Sequence, residues 1–410
     1  MNRRILLALS GSTFVLTLPG GSVQAQTYGT TAPAVYADDI EYRLEPIEMG
    51  SVNATIGTDI KFLYDSNIFA VPSGSQDDAI GIIAPFVQLD SRSGPVAMRF
   101  LGHAEMRRFA DHSSENSEAF GLSGNVDWQI ARGEAFRFGL SWQRDIEDRG
   151  DPEARNPPSL GPRQIDIAQG TIGYRRARGK MLLDLEGGAS RNNARAAVDD
   201  NRDFSSYRAR GTVGYRASGS LFATATVFAN RREFRLPYTT GGDKRNSTTY
   251  GGRLGIDIEP GGLIEGSISA GIFRFDPDEQ TYDGRTGLSL AGSMIYRPTR
   301  RAALVLELFN GDVATFRNGA TGRTDTTAQL GWQHEIRHNL YSNLSVGYRR
   351  TKYAGTGIVE KTATARGELE LLLSRNISAV ANISYGDRSS TLPTEEFSRF
   401  RTSLGLRMRF

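Results

Sequence analysis

The 410-residue chain contains no cysteine. That excludes a disulfide scaffold, thiol catalysis and thiolate metal sites. It has only four histidines, His103, His112, His334 and His338. None falls in an H-E-x-x-H or clustered His/Asp spacing, so a zinc site lacks its ligands. No G-x-S-x-G elbow or phosphate-cradling loop is present. These absences leave no cofactor site and point away from an enzyme. Charge of one sign is missing too: 49 Lys and Arg face 46 Asp and Glu, a balance with no electrostatic footprint for nucleic acid. Beyond the N-terminus no stretch reaches ~18 continuous apolar residues, so there is no transmembrane helix. Hydropathy alone would describe a soluble secreted product.

The N-terminus supplies the secretion. Arg3 and Arg4 form a positive region, Ile5 to Leu18 a mostly apolar one, and Val23-Gln24-Ala25 an A-x-A-like cleavage site. This pattern predicts a signal peptide over 1–25 and a mature start at Gln26. The alternative, a membrane anchor, is too short and too interrupted by Gly and Ser to span. Cleavage removes two arginines, leaving 47 basic residues against 46 acidic ones.

Period-2 alternation then runs along nearly the whole mature chain. In FGLSGNVDWQI, Phe120, Leu122, Val126, Trp128 and Ile130 share one parity, while Ser123, Asn125, Asp127 and Gln129 share the other. Such separation is that of a β-strand with one apolar and one polar face. Arg132-Gly133-Glu134 makes a tight turn, and Phe136, Phe138, Leu140 and Trp142 repeat the pattern. Counted this way the strands are 54–69, 80–91, 95–107, 118–131, 135–144, 165–175, 180–191, 205–216, 220–232, 247–259, 263–274, 284–297, 302–310, 325–336, 340–351, 361–373, 376–386 and 399–410. They number about eighteen, and no helical period persists between them. Short turns containing Gly, Asn or Pro alternate with longer polar loops such as 145–164 and 192–204.

Soluble sandwiches also alternate polar and apolar faces. Here, however, much of the polar parity is rich in Gly and Ser. The apolar parity places Tyr174, Tyr215, Tyr296, Tyr348 and Tyr385 within about three residues of an expected strand end, as in the aromatic girdles of a membrane barrel. The predicted fold is all-β: a transmembrane antiparallel up-and-down β-barrel of about eighteen strands with periplasmic N- and C-termini, over 51–410. The terminal FRTSLGLRMRF alternates to the end, with Phe410 last. It resembles the C-terminal strand by which outer-membrane barrels are recognised, so Phe410 is the expected assembly signal and the barrel assembly machinery an expected partner. Outer-membrane lipid is the other.

The polar parity then lines the lumen. It carries Arg99, Glu105, Arg107, Arg137, Asp184, Glu186, Arg208, Arg210, Arg253, Asp257, Glu265, Glu307, Arg366, Glu368, Glu370, Arg401 and Arg407. Two readings apply: a solvated wall of charges paired across strands, or a lining for a hydrophilic solute. Arg208, Arg210 and Arg216 on one strand suit an anionic solute; Arg366, Glu368 and Glu370 are mixed. Two chemical alternatives are weaker. The acidic stretch DPDEQTYD at 276–283 lacks the Gly and terminal Glu of a calcium loop. His334 and Ser342 on the lipid-facing parity lack a third residue to orient the histidine.

The first strand runs into YDSNIF, Tyr64 to Phe69. Asp65, Ser66 and Asn67 favour turns and local backbone hydrogen bonds, placing this stretch at the entry to the first outer loop. There Ile68 and Phe69 can pack against the rim. The stretch resembles the Y-D-x-N-I-F signature, here Tyr64, Asp65, Asn67 and Phe69, of an outer-membrane β-barrel porin family found beside surface-polysaccharide gene clusters. The resemblance implies a bacterial outer-membrane channel supporting export of capsule or exopolysaccharide, in partnership with a periplasmic export protein. An uptake porin for small hydrophilic solutes and a purely structural barrel remain the alternatives. Residues 26–50, irregular and Pro-containing, read as a periplasmic arm, with a lumen plug as the other possibility.

Overall fold

The computed structural model describes Val35 and residues 42–154, 160–237, 242–280 and 282–410. The expected signal peptide, and the arm before residue 42 apart from Val35, lie outside the described residues.

Alternation produces strands throughout. In chain order they are β1 (Ile47–Met49), β2 (Val52–Asp65), β3 (Asp78–Ser93), β4 (Val96–Phe109), β5 (Ser117–Ala131), β6 (Glu134–Ile146) and β7 (Gln164–Arg178). Next come β8 (Met181–Ala194), β9 (Phe204–Ser218), β10 (Leu221–Phe234), β11 (Ser247–Ile258), β12 (Ile264–Pro277) and β13 (Arg285–Thr299). The last are β14 (Ala302–Val313), β15 (Gly322–Arg337), β16 (Leu340–Ala354), β17 (Val359–Leu372), β18 (Ile377–Ser390) and β19 (Phe397–Arg409). Each of β2 to β19 pairs antiparallel with its neighbours, and β19 returns to β2, closing an eighteen-strand barrel. Closure leaves no unpaired edge, as a lipid environment requires.

Several boundaries differ from the sequence expectation. The first barrel strand stops at Asp65 rather than running to residue 69, because Asn67 turns the backbone by bonding its own neighbourhood. Short β1 hairpins onto β2, with Ile47 opposite Ala54. Most other strands run one to several residues longer than expected, since their ends are polar ladders projecting past the apolar band. Tyr174, Tyr215 and Tyr296 sit four, three and three residues from their strand ends. Tyr348 and Tyr385 sit six and five residues from theirs, farther in than expected for that same reason.

The apolar parity faces outward. Phe62, Leu140, Leu254 and Leu404 are 75%, 72%, 73% and 68% exposed, which in water would be costly and in lipid is favourable. Near the short turns Trp128, Phe136 and Tyr174 form a run of rings with centroids 6.1 and 5.0 Å apart. The Tyr174 hydroxyl donates to Glu134 Oε1 at 2.5 Å, the wet tip of a ring at an interface. Gly133 adopts φ 75°, which a turn of this kind needs and other residues resist.

The seam joins the two ends of the barrel sequence. Arg401 lies opposite Asp65 and Arg409 opposite Gly57. Phe410 completes it: its N–H donates to Ile56 O at 2.8 Å and its carbonyl accepts from Ile56 N at 2.9 Å. Both barrel termini are at the short-turn end. The long connections, including 195–203, 314–321 and the described residues of 147–163, gather at the other.

Candidate functional site

The lumen wall is a set of ion pairs within strands, between neighbours and across intervening strands, in two tiers. Near the short turns, Arg137 of β6 donates to Asp184 of β8 at 3.0 Å, reaching across Gly173 of β7. Arg175 donates to Asp184 and to Asp257, each at 3.1 Å. Arg407 bridges Glu370 at 2.7 Å and Asp59 at 3.3 Å, with Glu368 at 4.0 Å. Arg297 meets Glu265 at 2.8 Å, and Arg99 donates to Asp90 at 2.7 Å. At mid-height Arg210 donates to Glu186 at 2.8 Å, with Arg208 3.8 Å from the same carboxylate. Arg208 lies flat over Gly188, where a Cβ would stand 2.9 Å from its Nε. Arg253 donates to Ser289 at 3.1 Å and covers the Phe228 ring at 4.4 Å. Glu307 stands between Ser293 and Gln329 in register. Arg366 stands between Ser345 and Ser384. With Glu368 and Arg401 it lines a cavity of about 40 Å³, large enough for ordered water. Arg107 donates to Glu105 at 2.6 Å.

The long-loop end is closed differently. Sheet order places β16 nine strands from β7, on the diametrically opposite wall. Residues 147–154 leave β6, and they contact β19 and β18 on the way and β16 and β15 on that wall. Asp148 accepts from Arg399 at 2.8 Å and from Arg401 at 2.7 Å. The Gly150 carbonyl accepts from Arg388. Asp151 lies 3.8 Å from Arg349. Glu153 lies 3.7 Å from Arg323 of β15. Nearer its own root, Glu147 accepts both terminal nitrogens of Arg202 at 3.1 and 2.7 Å, and Arg149 forks onto Glu115 at 3.1 and 2.6 Å. Residues 147–154 are therefore a strap across the lumen.

A second loop, 314–321, supports the strap. Thr315 Oγ1 and the Phe316 amide each donate to the Glu153 carboxylate at 2.6 Å. Phe316 packs against Phe204 and Phe234 beside Ala314. Glu153 itself holds φ 73°, a left-handed conformation that is strained for a glutamate.

Burial of the strap shifts its acids in opposite directions. Burial would raise Asp148, but Arg399 and Arg401 overcome it and hold its carboxyl well below the ordinary range. Burial pushes Asp151 up to about 7; Arg349 opposes the rise, and Asp148 and Glu147 add to it.

YDSNIF belongs to this closure. Asp65, expected at a polar loop entry, is 1% exposed. It accepts from Arg399 at 2.6 Å and Arg401 at 2.8 Å, both on β19. Asn67 donates to Val71 O at 2.8 Å and to Ser398 O at 3.1 Å. Ile68 is buried, and Phe69 meets the His112 ring edge-on and the Arg149 guanidinium. Tyr64 alone faces outward, its hydroxyl donating to Asp77 at 3.1 Å.

The remaining sequence candidates are occupied by structural bonds. Asp278 takes a two-point contact from Arg231 at 2.5 and 2.6 Å. Ser342 Oγ donates to the backbone carbonyl of His334, while the His334 ring contacts Arg301 O. His112 bonds Asp78 and Gln76. Val35 packs against Ala303 and Val305, and its amide donates to Gln333 at 3.3 Å.

Sequence reasoning did not single out Asp148, Asp151, Glu153, Arg349, Arg388 or Arg399. One signal was available: four carboxylates within the first seven residues of the longest expected loop.

A family model described as "Putative beta-barrel porin 2" matches residues 48–410. No curated protein matches. Among solved structures, a mutant ferric enterobactin receptor from Pseudomonas aeruginosa is similar at 9% identity. That match has a TM-score of 0.45 and covers 87% of this chain and 80% of the receptor. The FrpB iron transporter from Neisseria meningitidis is similar at 8% identity and TM-score 0.45, covering 87% and 81%. A siderophore receptor from Acinetobacter baumannii is similar at 9% identity and TM-score 0.42, covering 87% and 80%.

Proposed function

The chain belongs to the family described as putative beta-barrel porin 2, an outer-membrane β-barrel, and from that premise we propose that it conducts surface polysaccharide out of the cell without catalysis. The observation that carries this reading is the charged lumen face, running from Arg407 near the short turns to Arg401 near the long loops. Arginines and carboxylates along it can hydrogen-bond hydroxyls and carboxylates weakly at many points, so a hydrated chain slides rather than lodging. Direction and solute come from the resemblance carried by Tyr64, Asp65, Asn67 and Phe69. In this reading the short-turn end faces the periplasm, where the mature N-terminus begins at Gln26 and an export protein docks. The barrel assembly machinery inserts the chain through its terminal strand.

A strain lacking the protein should lose released and cell-bound polysaccharide while taking up labelled sugars and amino acids normally. The opposite pattern would favour a small-solute uptake porin. Replacing Arg208 and Arg210 together by Ser should slow an acidic polymer more than a neutral one; equal effects would remove that strand from the mechanism.

A further inference from the structure

The strap carboxylates have the chemistry of a ligand. Arg323, Arg349, Arg388, Arg399 and Arg401, on β15, β16, β18 and β19, converge on the strap. Asp65, Asp325 and Glu360 of the wall also face these arginines. The strap adds Asp148, Asp151 and Glu153. Withdrawing it would take three carboxylates from a concave, partly desolvated wall of arginines, where arginine forks bind planar carboxylates at two points.

We propose that this wall is a binding site for a carboxylate-bearing saccharide, and that residues 148–153 occupy it in the closed state as an internal mimic of that solute. Asp148 already makes the contact a uronate would make: one oxygen to Arg399 at 2.8 Å, the other to Arg401 at 2.7 Å. Asp151 completes the set only loosely. Its Oδ1 is 3.8 Å from Arg349, and its buried Oδ2 has no hydrogen-bond partner among the described residues. The strap is also held in a strained conformation at Glu153. A saccharide carrying several carboxylates can outcompete three acids attached to a strained loop, because exchange of like for like leaves no arginine unpaired. The inference rests on the channel reading above, but neither on its direction nor on a polymeric solute.

The test uses the full-length protein in planar lipid bilayers, as wild type and as the triple variant D148N/D151N/E153Q. The variant should show a severalfold rise in conductance, and its reversal potential in a KCl gradient should move toward that of chloride. Unchanged conductance and selectivity, with wild-type channels conducting, would overturn the mimic and leave the channel intact. No conductance from either protein would sink the channel reading and the inference together. Because the variant can also misfold, a second measurement uses wild type alone. Arg149 is 8% exposed, so trypsin should cut after it only when the strap leaves the lumen. Oligogalacturonate should raise that cut severalfold, and a neutral maltooligosaccharide should not. Equal cleavage with both sugars, or with neither, would overturn the site.

Discussion

Asp65 shows how much one side chain can hold. It accepts from two guanidiniums of the strand that closes the barrel, and it is buried while doing so. Asp65→Ala removes one of the two carboxylates that Arg399 and Arg401 share, leaving Asp148 beside both. The expected loss is about 3 kcal/mol, the low end for breaking a buried pair, read as a lower urea midpoint of the folded barrel. A loss below about 1 kcal/mol would mean that solvent reaches this pair as it reaches a surface one. Asp151 makes a different prediction. Its carboxyl is raised to about 7 in the seated strap, while an exposed aspartate titrates near its ordinary value of about 3.9. The seated state therefore binds a proton that the released state gives up. Seating is strongest below the ordinary value and weakens as pH rises towards 7; above that it is constant. Asp148 stays ionised across this window, because its value is held well below the ordinary range. Wild-type channels should open less often at pH 5 than at pH 8, and Asp151→Asn should flatten that dependence. An Asp151→Asn channel with the full wild-type pH response would assign it to another group.

For whole strands, facing decides the effect of a charge. Leu122 is 48% exposed toward lipid, and Ser123 stands on the lumen face opposite Leu101 and Ser141. Leu122→Arg should destabilise the inserted barrel by about 2–4 kcal/mol if it lies near the midplane, while Ser123→Arg should be much milder; refolding into lipid vesicles with urea titration measures both. This contrast was legible in FGLSGNVDWQI, because strand geometry converts alternation directly into two faces. Strand count was legible for the same reason, repeated eighteen times. The strap was not. A loop rich in Asp and Glu has one composition whether it stands in water or crosses a lumen. Its partners, moreover, lie far away in sequence: Asp148 and Arg399 are 251 residues apart. Nor did YDSNIF disclose its burial, since Asp65 and Asn67 favour turns equally in solvent. The stretch takes its place from β19, which pairs with β2 only where the two ends of the barrel sequence meet.

At the scale of the molecule, Phe410 and the seam act together. The Phe410 backbone supplies two hydrogen bonds to Ile56 and its ring is half exposed toward lipid. Deleting it, or substituting Phe410→Asp, should lower the amount of assembled barrel without blocking passage across the inner membrane. Fractionation with a folded-versus-unfolded gel shift would show this; normal assembly of both variants would remove Phe410 as a recognition signal. The seam also governs time. Every other strand pair joins neighbours in sequence, whereas the seam contacts Arg399–Asp65 and Arg407–Asp59 span 334 and 348 residues. Closing so long a loop carries the largest entropic penalty of any pairing in the chain, and topologies with such distant contacts fold slowly. Ring closure is thus the expected last event of folding, and the wait for it is spent with both edge strands open. The same contact, once made, sets the lifetime of the finished barrel, since a ring of hairpins can unravel only after one of its pairings parts.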